Sequence, residues 1–228
     1  MKYRKPTSPT EAKIIRFWKN YAKRLSSEMT SKVTLENIKL NDSIWTEEEI
    51  EYLIRLIDKA HTEINLKFIR QLKGLTKIPE IDLYSITKNK KIYKSFVSKR
   101  NEHIKYFKKF PKYVKDKITE HLEESKKSVT FDAQKLAKSL HLTEAMSRRH
   151  ANFIARDQLG KFSSAINEAQ AEYVGAKSYI WRTSLDNRVR HMHEVREGKK
   201  FQYANPPEGG NPGMDYRCRC TAEAILKI

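Results

Sequence analysis

Cysteine, glycine and proline are all scarce in this chain of 228 residues, and what there is of them is unevenly placed. Up to residue 174 only Gly74 and Gly160 supply glycine; from Gly175 onward come five of the seven glycines, three of the seven prolines and both cysteines. Two cysteines one residue apart cannot staple a small secreted fold. On an extended strand the side chains of residues i and i+2 are about 6–7 Å apart, whereas a disulfide brings its Cβ atoms to about 3.8 Å. Cys218 and Cys220 are therefore expected as thiols, metal ligands or intermolecular partners. Also missing is any apolar run near the roughly 20 residues that cross a bilayer. The basic start, Met1 to Pro6, has no apolar stretch behind it, which argues against a secretory signal. These absences point to a protein made and kept in a cytoplasm, with no membrane partner.

Acid is the other deficit. Against 46 Lys and Arg stand 28 Asp and Glu, a net charge of +18. A surplus of that size favours a polyanion, nucleic acid first, as partner. Up to residue 130 there are 30 basic and 17 acidic residues, and after it 16 and 11, so most of the surplus lies in the N-terminal part. Residues 88–117 are the most basic, with twelve Lys/Arg against two acids. Lys90, Lys91, Lys94, Lys99, Arg100, Lys105, Lys108, Lys109 and Lys112 are the candidate phosphate contacts. Tyr93, Phe96, Tyr106, Phe107, Phe110 and Tyr113 are interleaved with them. Such rings suit either base stacking along a single strand or, because Ile92, Phe96, His103, Phe107 and Phe110 keep helical spacing, a buried face with lysines around it.

Helical periodicity dominates up to about residue 175. Ile14, Ile15, Trp18, Tyr21, Ala22 and Leu25 form one stripe. Thr46-x-x-Glu49 is a capping box opening a helix with Ile50, Leu53, Ile54, Ile57 and His61 on one face, expected to end at Gly74 before a linker at Pro79. Pro111 is placed in the first turn of a further helix. A short helix is expected over 130–139 and a long one over 143–175, capped by Thr143. That junction also resembles a helix-turn-helix over residues 133–150, which would make the chain a DNA-binding regulator. His141 at the turn and Met146 out of register argue against it. After Gly175, Tyr179, Trp181 and Thr183 alternate with Ile180 as in a strand, and 218–225 is expected to return beside it. The fold class that follows is α+β: a predominantly helical, elongated N-terminal body, with a long helix leading into a small C-terminal β-rich module. The expected division is a basic helical body over 1–129 and a second unit over 130–228, its β-rich module at 176–228.

Chemistry-bearing residues concentrate in that module. Cys218, Cys220 and His193 offer three zinc ligands, with His191 or Asp186 as a fourth; a metal would substitute for a missing apolar core. Alternatively Asp186 caps a turn, His193 hydrogen-bonds the loop and the cysteines pack as small hydrophobes. Cys, His and Asp could also form a nucleophilic or metal-dependent hydrolase site, but no nucleophile elbow, phosphate loop or second metal cluster accompanies them. The module is read as architecture, with Zn2+ as the one cofactor the residues would accommodate.

The order of these residues carries a resemblance. A long helix through Arg149-His150-Ala151-Asn152-Phe153-Ile154-Ala155-Arg156 is followed by Trp181-x-Thr183, Asp186-x-Arg188-x-Arg190-x-x-His193, Gly198, Phe201, Pro212-Gly213 and Cys218-Arg219-Cys220. Over roughly residues 130–226 this resembles the phage Mu F-like, or phage head morphogenesis, domain of minor head proteins in tailed phages. Asp157 and Gln158 stand where that family commonly has a Thr-Glu pair, and the loop before Pro212 is unusually rich in glycine. The resemblance implies a minor capsid protein of a phage or prophage, not an enzyme, located in the virion at the portal vertex or head interior. Its partners would be the portal, the major capsid and scaffold assembly, and double-stranded DNA bound non-specifically. Trp181, Asp186, Arg188, His193, Gly198, Pro212, Cys218 and Cys220 would be its structural motif residues. Arg188, Arg190, Arg217 and Arg219 would brace the fold or meet acidic partners.

Overall fold

The computed structural model describes residues 8–31, 45–75, 88–126 and 133–225. Four long helices come first: α1 (Pro9–Ser31), α2 (Glu47–Leu75), α3 (Lys90–Lys126) and α4 (Ala133–Tyr173). A small sheet follows, built from β1 (Ser178–Arg182), β2 (Lys200–Gln202) and β3 (Thr221–Ile225), with a single helical turn, α5 (His191–Glu194), between β1 and β2. The class is α+β, a helical body with a small β module. The Pro79 linker and the start of the expected 130–139 helix lie outside the described residues.

Local chemistry starts the helices. Ser8 and Glu11 form a reciprocal capping box on α1, each backbone N–H donating to the other's side chain at 3.1 Å, and Pro9 occupies the first helical position, where its missing N–H leaves nothing unpaired. Thr46 and Glu49 cap α2 in the same way, at 3.0 and 3.2 Å. The Asn89 side chain accepts from the N–H groups of Lys91 and Ile92 at the start of α3.

Two expected helix boundaries are absent. Pro111 lies inside α3, not in the first turn of a new helix. Proline in a helix interior removes one backbone hydrogen bond and costs about 3 kcal/mol. Phe107, Phe110, Val114 and Ile118, on both sides of it, are all fully buried, each contributing about 1.5–3 kcal/mol; continuous packing outweighs the local stop signal. Thr143 likewise does not open a helix. α4 runs unbroken past it, and its hydroxyl donates back to the Ser139 carbonyl at 3.1 Å, the side-chain bond available to a threonine in mid-helix. Without a turn between residues 133 and 150, no helix-turn-helix exists there.

One core joins the body. Trp18, Leu25 and Met29 of α1, Leu53 and Ile57 of α2, Phe107, Phe110 and Val114 of α3, and Ala151, Ala155, Phe162 and Ile166 of α4 are buried together. Trp18 meets Phe107 and Phe110 edge-on at 5.4 and 5.6 Å and donates its Nε1–H to His103 Nε2 at 2.9 Å. α4 is the shared wall, packing on α1, α2, α3 and β3. Two of its fully buried residues, Ala151 and Ala155, are small enough to permit close helix approach.

α4 ends where glycine allows it. Gly175 takes φ +75°; its N–H donates to Glu172 O and that of Ala176 to Ala171 O, a Schellman closure that turns the chain into β1. β1 is the central strand, antiparallel to β2 and β3 in the order β2-β1-β3, with Trp181 opposite Ala222 and Tyr179 opposite Phe201 and Ala224. Tyr179 and Trp181 are buried on one face, as the alternation predicts, and pack with Cys218, Cys220, Phe201 and Tyr203.

Candidate functional site

The sheet's buried face holds a second, polar centre. α5 presents His193 inward, 3% exposed, with its ring edge-on to Trp181 at 5.4 Å. His193 Nδ1 is 3.5 Å from Cys218 Sγ and 3.5 Å from Cys220 Sγ. On the other side His193 Nε2 is 3.1 Å from Asp215 Oδ2. A carboxylate can only accept, so Nε2 carries the ring proton and Nδ1 presents its lone pair to the two sulfurs. Asp215 is itself held by Arg190 at 2.7 Å and accepts the Tyr216 N–H at 2.7 Å.

Both sulfurs are buried free thiols. Cys218 Sγ accepts the backbone N–H groups of Gly213 and Cys220, each at 3.4 Å. The hydrogen bond from Cys220, with those amides and His193 nearby, lowers the Cys218 pKa in spite of burial. The same sulfur–sulfur contact and burial raise that of Cys220. The two shifts run in opposite directions, so Cys218 is the sulfur whose thiolate form is the more favoured.

The loop carrying these groups sits on α4 through two glycines. A Cβ on Gly160 would lie 3.2 Å from the Cys218 carbonyl oxygen, and one on Gly213, whose φ is +94°, would lie 3.0 Å from the Gly160 carbonyl oxygen. Asp157 of α4, buried and paired with Lys161 at 2.7 Å, accepts the Arg217 N–H at 3.0 Å. Tyr216 packs on Phe153 at 4.5 Å. These contacts fix the turn from Asp215 to Cys220 against the helix.

Asp186 is not part of the cluster. Its carboxylate pairs with Arg219, Nη2 to Oδ1 at 2.5 Å with a second bond from Nη1, and accepts the Arg188 N–H at 3.0 Å. Arg219 holds its pKa well below the ordinary carboxylate range. It caps the turn, the alternative role expected for it, and is unavailable as a fourth ligand. His191 is exposed; among the described residues only His193, Cys218 and Cys220 gather as a metal-ligating set. Gly198, at φ +73°, turns the chain into β2, and its N–H donates to Trp181 O at 2.9 Å. Pro212 is buried in the loop. Of the four arginines, Arg190 and Arg219 brace acids within the module, Arg188 pairs with Asp186 at 3.2 Å, and Arg217 lies over the Phe153 ring.

The candidate DNA contacts fall on α3. Lys90, Lys94, Lys105, Lys108, Lys109 and Lys112 are exposed and, at 100° per residue, share an arc of about 100° running about 33 Å along the helix. Ile92, Phe96, Phe107 and Phe110 occupy the opposite, buried side. Lys91, Lys99 and Arg100 pair instead with Glu172, Glu102 and Asp58. Most of the interleaved rings are core. The two most exposed, Tyr93 and Tyr106, lie off the lysine arc, so no face alternates rings with lysines for base stacking.

Residues 114–223 match the family described as Phage Mu protein F like protein. This part of the chain is similar to a phage Mu F-like head morphogenesis domain. The match begins within α3, contains all of α4, and ends within β3, so the motif residues, the cysteine loop and its seat on the helix all fall inside it. An uncharacterized protein of Haemophilus influenzae is 46% identical over 81 residues, which is 35% of this chain and 18% of that protein. The match therefore spans less than a fifth of the relative's length. No solved structure matches the chain. Among the described residues no helix is long and apolar enough to cross a membrane.

Proposed function

We propose that the chain is a minor capsid protein, incorporated into the phage head beside the portal during assembly, where it touches packaged DNA through the lysine arc of α3. The family match over residues 114–223 carries this reading. The body over 1–129 supplies most of the positive charge, and the unit over 130–228 supplies the head module. Six exposed lysines on one helical face suit the phosphates of a duplex, met without base readout, and such binding weakens steeply with salt because each neutralised phosphate releases counterions. The Cys/His loop serves as architecture and not as a hydrolase: its sulfurs are buried among Trp181, Tyr179 and His193 and closed in by the Gly213 and Cys220 amides.

Coexpression with the portal and the scaffold and capsid proteins of the same phage tests this. The chain should sediment with procapsids and stay bound to isolated portal rings. Its appearance solely at the top of the gradient, with procapsids formed normally, would reject the reading.

A further inference from the structure

We propose that His193, Cys218 and Cys220 bind one zinc ion, with Asp215 as the outer carboxylate that orients the histidine. Ligand spacing is the first reason. Zinc bonds of about 2.3 Å to sulfur and about 2.0–2.1 Å to nitrogen, at tetrahedral angles, put the two donor atoms about 3.6 Å apart. Both sulfur-to-Nδ1 distances are 3.5 Å, and all three donor atoms lie within 4.8 Å of one another.

The second reason is a count of lone pairs. With Nε2–H committed to Asp215, Nδ1 has one in-plane lone pair, which can accept one thiol proton. Two sulfurs nevertheless converge on it at equal distance. A cation that takes the imidazole lone pair and both thiolates satisfies all three groups at once. The Nε2–H···Asp215 bond is also the arrangement that fixes the tautomer and ring orientation of a metal-bound histidine. Two amide N–H groups already directed at Cys218 Sγ stabilise a thiolate there.

The set is tridentate. Asp186, a fourth ligand that spacing in the sequence offered, is held by Arg219, so the described residues supply three ligands. The ion would tie α5 to the start of β3 across the buried face of a sheet only three strands wide.

Elemental analysis of the full 228-residue chain, purified reduced and desalted, tests the site, with zinc alone as the probe. About one equivalent of zinc is expected, and cobalt loaded into the metal-free chain should show thiolate-to-cobalt charge-transfer absorption. His193→Ala and Cys220→Ser should each retain under about a tenth of the metal. Because those two changes also remove buried contacts of the module, Asp215→Asn is the second measurement: all three ligands remain and zinc affinity should fall about 10–100-fold with unchanged helical circular dichroism. A folded, reduced chain that carries no zinc and gives no cobalt band overturns the proposal. So does full metal content in the Cys218→Ser/Cys220→Ser double variant, which would place the ion elsewhere.

Discussion

Replacing Gly213 with alanine should damage the head module more than any other glycine-to-alanine change in its loops. Two effects add. At φ +94° an L residue is strained by about 1–3 kcal/mol. The new methyl would also lie 3.0 Å from the Gly160 carbonyl oxygen and 3.1 Å from Ser164 Cβ. Neither neighbour can swing away, since one is helix backbone and the other the first atom of a helical side chain. Overpacking of this kind costs about 1–3 kcal/mol, for a total on the order of 2–6 kcal/mol. Relief would require lifting the loop from α4, which would also draw the Gly213 amide from Cys218 Sγ. Gly198→Ala is the control: φ is +73°, yet its methyl would meet nothing within 4 Å, so it carries strain alone. Urea unfolding of both variants, followed by near-ultraviolet circular dichroism, isolates the close approach. If Gly213→Ala is no less stable than Gly198→Ala, the two-glycine seat on α4 is wrong.

Two further outcomes can be checked in solution. Burial lowers the pKa of His103 to about 3 and that of His61 to about 4, from 6.5. Below 6.5 the unfolded chain therefore binds more protons than the folded one. The stability tied to keeping these rings neutral is complete above pH 6.5 and is lost as pH falls, by on the order of 3 kcal/mol for His103 at pH 4; urea midpoints between pH 7 and 4 should fall accordingly, and less steeply in His103→Gln, while an unchanged midpoint across that range would contradict the buried neutral histidines. For the lysine arc, changing Lys94, Lys105, Lys109 and Lys112 to alanine should flatten the dependence of log binding constant on log salt by about 0.9 for each phosphate that is no longer neutralised. An unchanged slope would remove α3 from the DNA interface.

Much of this molecule is written in local patterns. The Thr46–Glu49 box, the buried stripe of α1 and the alternation of Tyr179 and Trp181 each need only a few neighbouring residues to be read, and each holds. Where the expectation misses, a longer-range contact decides. Pro111 is a sound stop signal for an isolated helix, but core residues on both sides of it keep α3 continuous; Thr143 stays within α4 with its hydroxyl bonded to the Ser139 carbonyl. At the site, His193, Cys218 and Cys220 come together as their types suggest. Asp186 is the wrong acid because Arg219, one residue beyond Cys218, reaches it first. Asp215 carries no signal in the sequence although it stands three residues before Cys218. No spacing rule places it on the far nitrogen of His193, and only the loop's seat on α4 does that. Gly160 reads in the sequence as an interruption in a helix; its use is visible once the Cys218 carbonyl lies against it. Asp157 departs from the family pattern, and its partner, the Arg217 amide, becomes evident only in the fold.

The most direct test of the head-protein account is quantitative mass spectrometry of purified, DNA-filled heads assembled with this chain expressed beside the other head genes. The account predicts the chain in these particles at a low, fixed ratio to the portal, with fewer filled heads when its gene is omitted. Filled heads that form at normal yield and contain none of it would contradict the account.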